Sequence, residues 1–241
     1  MTRRRAGIAA GAAVLIALLG VAAAYAYFFS GLRSAPPPLA LKTPTPGATA
    51  SPAASGDLAG NWKVASGSQA EWRVTEVVLA SNTPHSAVGR TSGVAGGLTV
   101  EQAASGLTAS NLTFAADLTQ LASVDQLAGH DVTQRDQLVR QSLLVSQFPQ
   151  ATFVSAQAVA IPAGLTSGQQ VQLSVPGQLT IRGVTKDVTA SVMVQQSGAL
   201  VQAAGTIPTD MATFSIPPPY APFVTLDKNV TIGFVLNLAR A

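Results

Sequence analysis

The alternation of apolar and polar positions is most regular from Gly177 to Val194, which reads GQLTIRGVTKDVTASVMV. Leu179 and Ile181 alternate with polar neighbours in the first half, and apolar side chains recur at every second position of 188–194. A period of two places one set of side chains on a buried face of a strand and the other set outward. The polar residues 182–187 between the halves include one glycine, which predicts a β-hairpin with its turn there.

Several other segments show the same period of two. They are Glu71–Leu79, Asn111–Leu118, Thr152–Ile161, Val171–Val175 and Val230–Leu238. Successive strands with one apolar parity predict an antiparallel sheet that buries one face. Short turns rich in Gly, Ser and Asn are typical of a sandwich or a barrel, and closing the barrel would remove exposed edges.

The period changes in residues 129–148, which read GHDVTQRDQLVRQSLLVSQF. We expect one or two short helices there, ended by the proline that follows. Asp131 or Thr133 can cap the first helix, and Asp136 with Arg140 has the i,i+4 spacing of an ion pair. The segment is therefore predicted to be a helical insertion in an otherwise all-β domain.

The N-terminus has the pattern of a membrane anchor. Residues 6–32 carry no charge and follow three arginines in residues 1–5. About 20 apolar residues span a bilayer as a helix, and basic residues favour the cytoplasmic side. We therefore predict a retained transmembrane helix at 6–32, with 1–5 cytoplasmic and the rest extracytoplasmic. A cleaved signal peptide with an A-x-A site at residues 24–26 is the alternative, but the apolar run exceeds the usual length of about 7–15 residues.

The composition after the anchor separates a spacer from a folded domain. Residues 33–56 contain six prolines, which predicts a semi-extended linker, and residues 57–241 form one predicted domain of 185 residues. Residues 1–56 hold five basic and no acidic side chains, whereas 57–241 hold nine basic and eleven acidic ones. The predicted domain therefore has no excess of basic residues for nucleic acid. The chain has no Cys and two His, so disulfides and thiolate metal sites are excluded, and we expect no cofactor or metal.

Two motifs in this domain resemble one family. The hairpin reads G-x-LTI-x-GVTK-x-V, and residues 123–155 contain SVDQL followed by RDQLVRQSLLVSQFPQATFVS. Both resemble the YceI-like family of lipocalin-like polyisoprenoid-binding proteins, as does, more weakly, the region of residues 204–216. The resemblance covers about residues 60–240. It implies an antiparallel lipocalin-like β-barrel of about eight strands with a short helical insertion.

The opening strands depart from the family pattern. The family often has W-x-x-D-x-x-H-S followed by a second histidine, and this chain retains Trp62 but neither histidine. A head-group role for those histidines is therefore not carried over. Arg135 and Asp136 fall on the family pattern, and they could bind a polar head group or pair within the insertion.

The apolar side chains of a barrel can fill its core or line a tunnel, and the sequence alone leaves both open. The resemblance implies that the barrel binds an isoprenoid or similar amphiphilic lipid. The predicted lipid-contacting residues are Trp72, Phe114, Leu143, Leu144, Phe148, Phe153, Leu179, Ile181, Phe214 and Phe234. The predicted function is thus a membrane-anchored, extracytoplasmic binding protein that performs no chemistry.

Two alternatives belong to other functional classes. A filled barrel could be an interaction module of the cell envelope, and an enzyme could act on lipid. His85 beside Ser86, with Asp131 beside His130, contains the residue types of a hydrolase triad, but no G-x-S-x-G motif is present. We interpret His85, which lies among Ser, Asn and Pro, as a solvated loop residue.

The first prediction concerns the N-terminus. We expect the mature protein to begin before residue 6, because the apolar segment is long enough to remain in the bilayer. N-terminal sequencing of the purified mature chain measures this. A mature terminus near Tyr27 would instead show that the segment is a cleaved signal peptide.

Overall fold

The computed structural model describes residues 35–41, 58–79, 82–104, 106–126, 132–197, 199–219 and 224–241. The predicted anchor at 6–32 lies outside these residues, as do His130 and Asp131. Within the described ranges, no helix has the length and apolar character that crossing a membrane requires.

Twelve strands and one α-helix make up the described fold. The strands are β1 (Gly60–Val64), β2 (Gln69–Val78), β3 (Thr83–Thr91), β4 (Val94–Ala103), β5 (Gly106–Asp117), β6 (Ala122–Ser123), β7 (Gln150–Ser155), β8 (Val159–Ala160), β9 (Val171–Ile181), β10 (Val184–Ser197), β11 (Leu200–Asp210) and β12 (Val224–Arg240). The helix α1 spans Thr133–Ser142, and two 3₁₀ turns occupy Leu118–Gln120 and Ala212–Phe214.

Eight of these strands close into an antiparallel ring. Their order is β1, β4, β5, β7, β9, β10, β11 and β12, and β12 pairs back with β1. The predicted eight-strand antiparallel barrel with one short helix is therefore confirmed. Alternate side chains of the ring strands point inward, so Leu179, Ala190, Val192 and Leu236 join one buried apolar cluster.

The strand β12 divides its pairing between two partners on one side. Residues 238–240 pair with β1, whereas residues 224–226 and 230–235 pair with β2 on either side of an irregularity. In turn, β2 pairs with β3, and β3 pairs with the short β6. The ring is thus complete at the β1 end. At the β2 end, β3 pairs beyond β2 only with the two-residue β6 among the described strands, and α1 follows β6 in the chain.

The signature hairpin has a tighter turn than the sequence predicted. Ile181 pairs with Val184, so the loop contains only Arg182 and Gly183, and residues 185–187 belong to β10. Arg182 has a φ of 53° and Gly183 a φ of 73°. Two positive φ values in a two-residue loop are the geometry of a type I′ turn, which matches the right-handed twist of the flanking strands.

Other local expectations were wrong. Residues 152–161 do not form one strand, because β7 ends at Ser155 and β8 covers only 159–160. The helix α1 has Val132 at its N-cap, with no side-chain hydrogen bond. Asp136 and Arg140 do not pair as expected: Asp136 accepts from Ser123 and Arg140 donates to the Leu121 carbonyl. Asp136 and Arg140 therefore bind residues in and next to β6 and not each other.

The positive φ at Gly183 generates the second prediction. Gly183→Val should lower the free energy of unfolding by about 1–3 kcal/mol, because a β-branched residue resists positive φ. A Cβ there would also lie 2.7 Å from Cε1 of Phe148. Thermal and urea unfolding measure the loss. Lys186→Val, at an exposed strand position of the same hairpin, is the control, and equal stability of the two variants would contradict the turn geometry.

Candidate functional site

The barrel encloses an apolar inner cavity of about 190 Å³. Side chains of β5, β7, β9 and β12 line it, among them Phe114, Phe153, Leu179 and Phe234. Thr152 contributes a hydroxyl to this lining, and the indole N–H of Trp62 is bonded to the carbonyl of Leu58. The inner cavity therefore offers an environment for hydrocarbon.

A wider outer cavity of about 440 Å³ lies beneath α1. Trp72, Ile181 and Phe214 contribute apolar walls, and Leu138 and Val139 contribute from the helix. Four residues line both cavities, so the two adjoin. They are Ala70, Ala116, Ala151 and Ile232.

Glycine makes room for one aromatic side chain of the inner wall. A Cβ at Gly177 in β9 would lie 2.4 Å from Cζ of Phe153 on the paired strand β7. No side chain larger than hydrogen fits there without moving the ring. The glycine of the signature motif thus leaves the space that the Phe153 ring occupies in the wall of the cavity.

The structure places eight of the ten predicted lipid-contacting residues on these cavities. The inner cavity has Phe114, Phe153, Leu179 and Phe234, and the outer cavity has Trp72, Leu143, Ile181 and Phe214. Leu144 and Phe148 line neither. Leu144 has a φ of 52° in the turn after α1, and Phe148 packs over the hairpin turn at Gly183.

A buried polar cluster adjoins the outer cavity. Asp125, 2% exposed, accepts from Nε2 of His85 at 2.8 Å and from the backbone N–H of Val88 at 2.9 Å. Arg135 of α1 forms a short ion pair with Asp125 and a second one, at 3.3 Å, with Glu76 of β2. Glu76 and His85 are paired across β2 and β3. The cluster therefore joins α1, the loop after β6 and two strands of the wall.

The pKa of Asp125 reflects this surrounding. Burial alone would raise the pKa, but hydrogen bonds from His85, Arg135 and Val88 outweigh burial and lower it from 3.8 to about 2. The carboxylate is consequently ionised at all physiological pH values. Arg135 also lies over the Trp72 ring, with its guanidinium carbon 5.9 Å from the ring centroid.

The position of His85 corrects the sequence interpretation. His85 is 6% exposed in β3 and bonded to Asp125, so it is not a solvated loop residue. Ser86 follows it on the strand and therefore points to the opposite face, away from His85. The proposed partners His130 and Asp131 lie outside the described residues. The His85–Ser86 dipeptide therefore does not present a nucleophile next to its base.

Glu76, His85 and Asp125 could each offer one metal-ligand atom, and these atoms lie within 4.8 Å of one another. Both carboxylates, however, already bind the guanidinium of Arg135. A cation would have to displace that side chain. The donor set fits an ion-pair network that positions α1 better than it fits a metal centre.

Sequence reasoning missed Glu76 and Asp125 as parts of this site. Glu76 shares the parity of Trp72 and Val74, which would have placed it on the inner face of β2. Asp125 lies in the SVDQL motif that was used for the family resemblance. The sequence left open whether Arg135 binds a polar head group or pairs within the insertion, and its partners are instead Glu76 on β2 and Asp125 beside β3.

One family of known proteins matches almost the whole predicted domain. The YceI-like domain matches residues 62–238, which confirms the resemblance seen in the two motifs. No curated protein matches the sequence.

Several solved structures are similar to the chain. A polyisoprenoid binding domain from Saccharophagus degradans, implicated in plant cell wall breakdown, has a TM-score of 0.54 at 17% identity, covering 75% of this chain and 98% of that one. BcnA of Burkholderia cenocepacia has 27% identity and a TM-score of 0.45, covering 70% and 96%. The YceI protein of Campylobacter jejuni has 14% identity and a TM-score of 0.41, covering 60% and 82%. The first of these shares the fold.

The lowered pKa of Asp125 generates the third prediction. A depressed pKa contributes stability that is complete above the unfolded value of 3.8 and is lost as the pH falls through about 2. We expect wild type to lose about 2 kcal/mol more than Asp125→Asn between pH 5 and pH 2, since each pKa unit is worth about 1.4 kcal/mol. Urea unfolding across this pH range measures the difference.

The control for this prediction is Asp187→Asn, which removes an exposed carboxylate of β10. That variant measures the effect of losing a carboxylate outside the cluster of Asp125, His85 and Arg135. Asp125→Asn should also be less stable at neutral pH, because Arg135 and His85 lose a buried partner. Parallel pH profiles of wild type and Asp125→Asn would show that Asp125 is not held in its ionised form by the fold.

Proposed function

This chain belongs to the YceI-like family, and from that premise we propose that its barrel binds an isoprenoid or similar amphiphilic lipid without performing chemistry on it. The observation that carries the proposal is the pair of adjoining cavities, whose lining changes from apolar to partly polar. The similar fold from Saccharophagus degradans is described as a polyisoprenoid binding domain, which supports the same ligand class.

The inner cavity suits the hydrocarbon tail. Its walls offer almost only apolar side chains. Each buried methylene contributes about 0.8 kcal/mol, so a long tail binds without any charged contact. The inner cavity adjoins the outer one, and the outer volume alone falls within the roughly 300–1,000 Å³ of small-molecule sites.

The outer cavity suits the polar head. Arg135, Glu76 and Thr209 lie in its lining beside the apolar walls. The indole N–H of Trp72, which also lines this cavity, is buried and has no hydrogen-bond partner among the described residues. A ligand with a hydrogen-bond acceptor in its head could therefore be oriented with the head beneath α1 and the tail toward Phe153.

The proposal includes a location. Residues 6–32 would anchor the chain in a membrane with the N-terminus in the cytoplasm and the barrel outside, as their charge pattern predicts. Such an arrangement would keep the lipid site close to a bilayer that supplies or receives the ligand.

The fourth prediction tests the inner cavity. Phe153→Asp in the full chain should abolish co-purified lipid yet leave a cooperatively folded β-domain, because the wall of an empty tunnel tolerates some water whereas a filled core does not. An unpaired carboxylate in a filled core would cost several kcal/mol of a total stability of about 5–15. Native mass spectrometry from detergent and circular dichroism on the same preparation measure both properties.

The strand β7 offers a matched control. Val154, the next residue, is 45% exposed on the other face, so Val154→Asp should retain lipid. Ala151→Phe adds apolar volume where the cavities adjoin and should reduce lipid binding without introducing a charge. An unfolded Phe153→Asp would support a filled core, and a folded one that still carries lipid would exclude the inner cavity from the site.

A further inference from the structure

Residues 35–41 of the predicted spacer lie against the barrel. The carbonyl of Pro36 accepts from Nη2 of Arg73 at 2.8 Å, and the carbonyl of Pro37 accepts from Nη2 of Arg90 at 2.6 Å. The N–H of Leu39 lies 3.4 Å from Oε1 of Glu71. Three of these seven residues therefore bind the domain, although the sequence predicted a semi-extended linker.

The receiving surface is a charged triad on the outer face of β2 and β3. Glu71 is the cross-strand neighbour of Arg90, and Arg73 follows two residues later, so all three side chains point the same way. Arg90 Nε bonds Glu71 at 2.8 Å, and Arg73 Nη2 lies 3.5 Å from it. Trp72 and Val74 form the inner face of β2, so Glu71 lies on its outer face. The Glu71 side chain is nevertheless only 3% exposed. The Pro-rich segment lies over this carboxylate.

The chemistry of the two partners is complementary. Proline has no N–H, so a Pro-rich segment keeps its carbonyls available and favours an extended polyproline II conformation that loses little entropy on binding. A guanidinium has five N–H donors, so one arginine can bind a carboxylate and a peptide carbonyl together. We propose that Glu71, Arg73 and Arg90 form a docking site for residues 35–41 of the same chain, which bind through Pro36, Pro37 and Leu39. This segment acts as a strap and not as a spacer.

The covalent link between the strap and the domain favours docking of the chain's own strap over docking of a segment from another molecule. Residues 42–57 alone separate the strap from the first described residue of the domain, Leu58. A tether of this length gives an effective concentration in the millimolar range, and closing the loop costs little more than for a shorter one. A partner in trans would have to compete with that concentration.

Docking of the strap also limits the distance between the domain and the end of the predicted anchor. The docked segment begins three residues after the apolar run that ends at Leu32. Because each residue spans at most about 3.6 Å, the two points can be no more than about 11 Å apart. If residues 6–32 form the predicted anchor, the strap holds the outer face of β2 and β3 next to the membrane.

The fifth prediction measures docking by distance. The chain has no cysteine, so Ala40→Cys with Thr189→Cys introduces the only two thiols, both at exposed positions, one on the strap and one on β10. With spin labels on both, we expect one narrow distance distribution for the full chain in detergent. Adding Arg73→Ala and Arg90→Ala should broaden the distribution to that of a free tether.

The control pair is Lys186→Ala with Lys228→Ala, which removes two exposed cations elsewhere on the barrel and should leave the distribution narrow. Circular dichroism verifies that each variant is folded. Because the arginine variant leaves Glu71 without its partners, a second variant changes only the strap: glycine at 36–38 keeps the carbonyls but frees the backbone, and it should also broaden the distribution.

Three results would overturn the proposal. The distribution could already be broad in the otherwise unchanged chain, or it could stay narrow in a folded chain that lacks both arginines. A narrow distance could also arise only between differently labelled chains in a mixture, which would place the strap on a second copy. None of these measurements depends on a bound lipid, so they are independent of the proposed ligand.

Discussion

The divided pairing of β12 is the constraint on which the rest of the barrel depends. Its last residues close the ring through β1, and residues 224–226 and 230–235 pair instead with β2. The β1 end is thereby sealed by hydrogen bonds, whereas β3 at the other end pairs beyond β2 only with the short β6 among the described strands. An insertion must cover what the sheet leaves open, and α1 occupies that position above the outer cavity.

Polar contacts, more than apolar burial, position this helix. None of the residues of α1 is buried. It is held by Arg135 on Asp125 and Glu76, by Asp136 on Ser123 and by Arg140 on the Leu121 carbonyl. Removing one partner of such a buried pair typically costs about 3–5 kcal/mol, because the remaining charge stays buried. The cover of the cavity therefore depends on charges that the apolar pattern of the sequence does not indicate.

The alternation of apolar and polar residues predicted the strands in which this alternation is regular. The hairpin of β9 and β10 and the long β12 have one apolar parity, and both formed, the hairpin with a shorter turn and β12 with more residues than predicted. β3 was missed because Pro84, His85 and Gly89 interrupt any period of two. Glycine at position 89 is required by its neighbour, since Trp72 packs where a Cβ would lie. That requirement belongs to the cross-strand pairing of β2 and β3, so it leaves no local signal in the sequence.

The sequence by itself determined the all-β class, the signature hairpin and six strand residues of the cavity lining, because inward and outward positions follow from a period of two within each strand. Tertiary structure alone decided three other features. It brought Glu76, His85, Asp125 and Arg135 together, it excluded Leu144 and Phe148 from the cavities, and it placed the Pro-rich segment on Arg73 and Arg90. Each of these depends on which strands become neighbours and in which register, and that information is shared among distant residues of the chain.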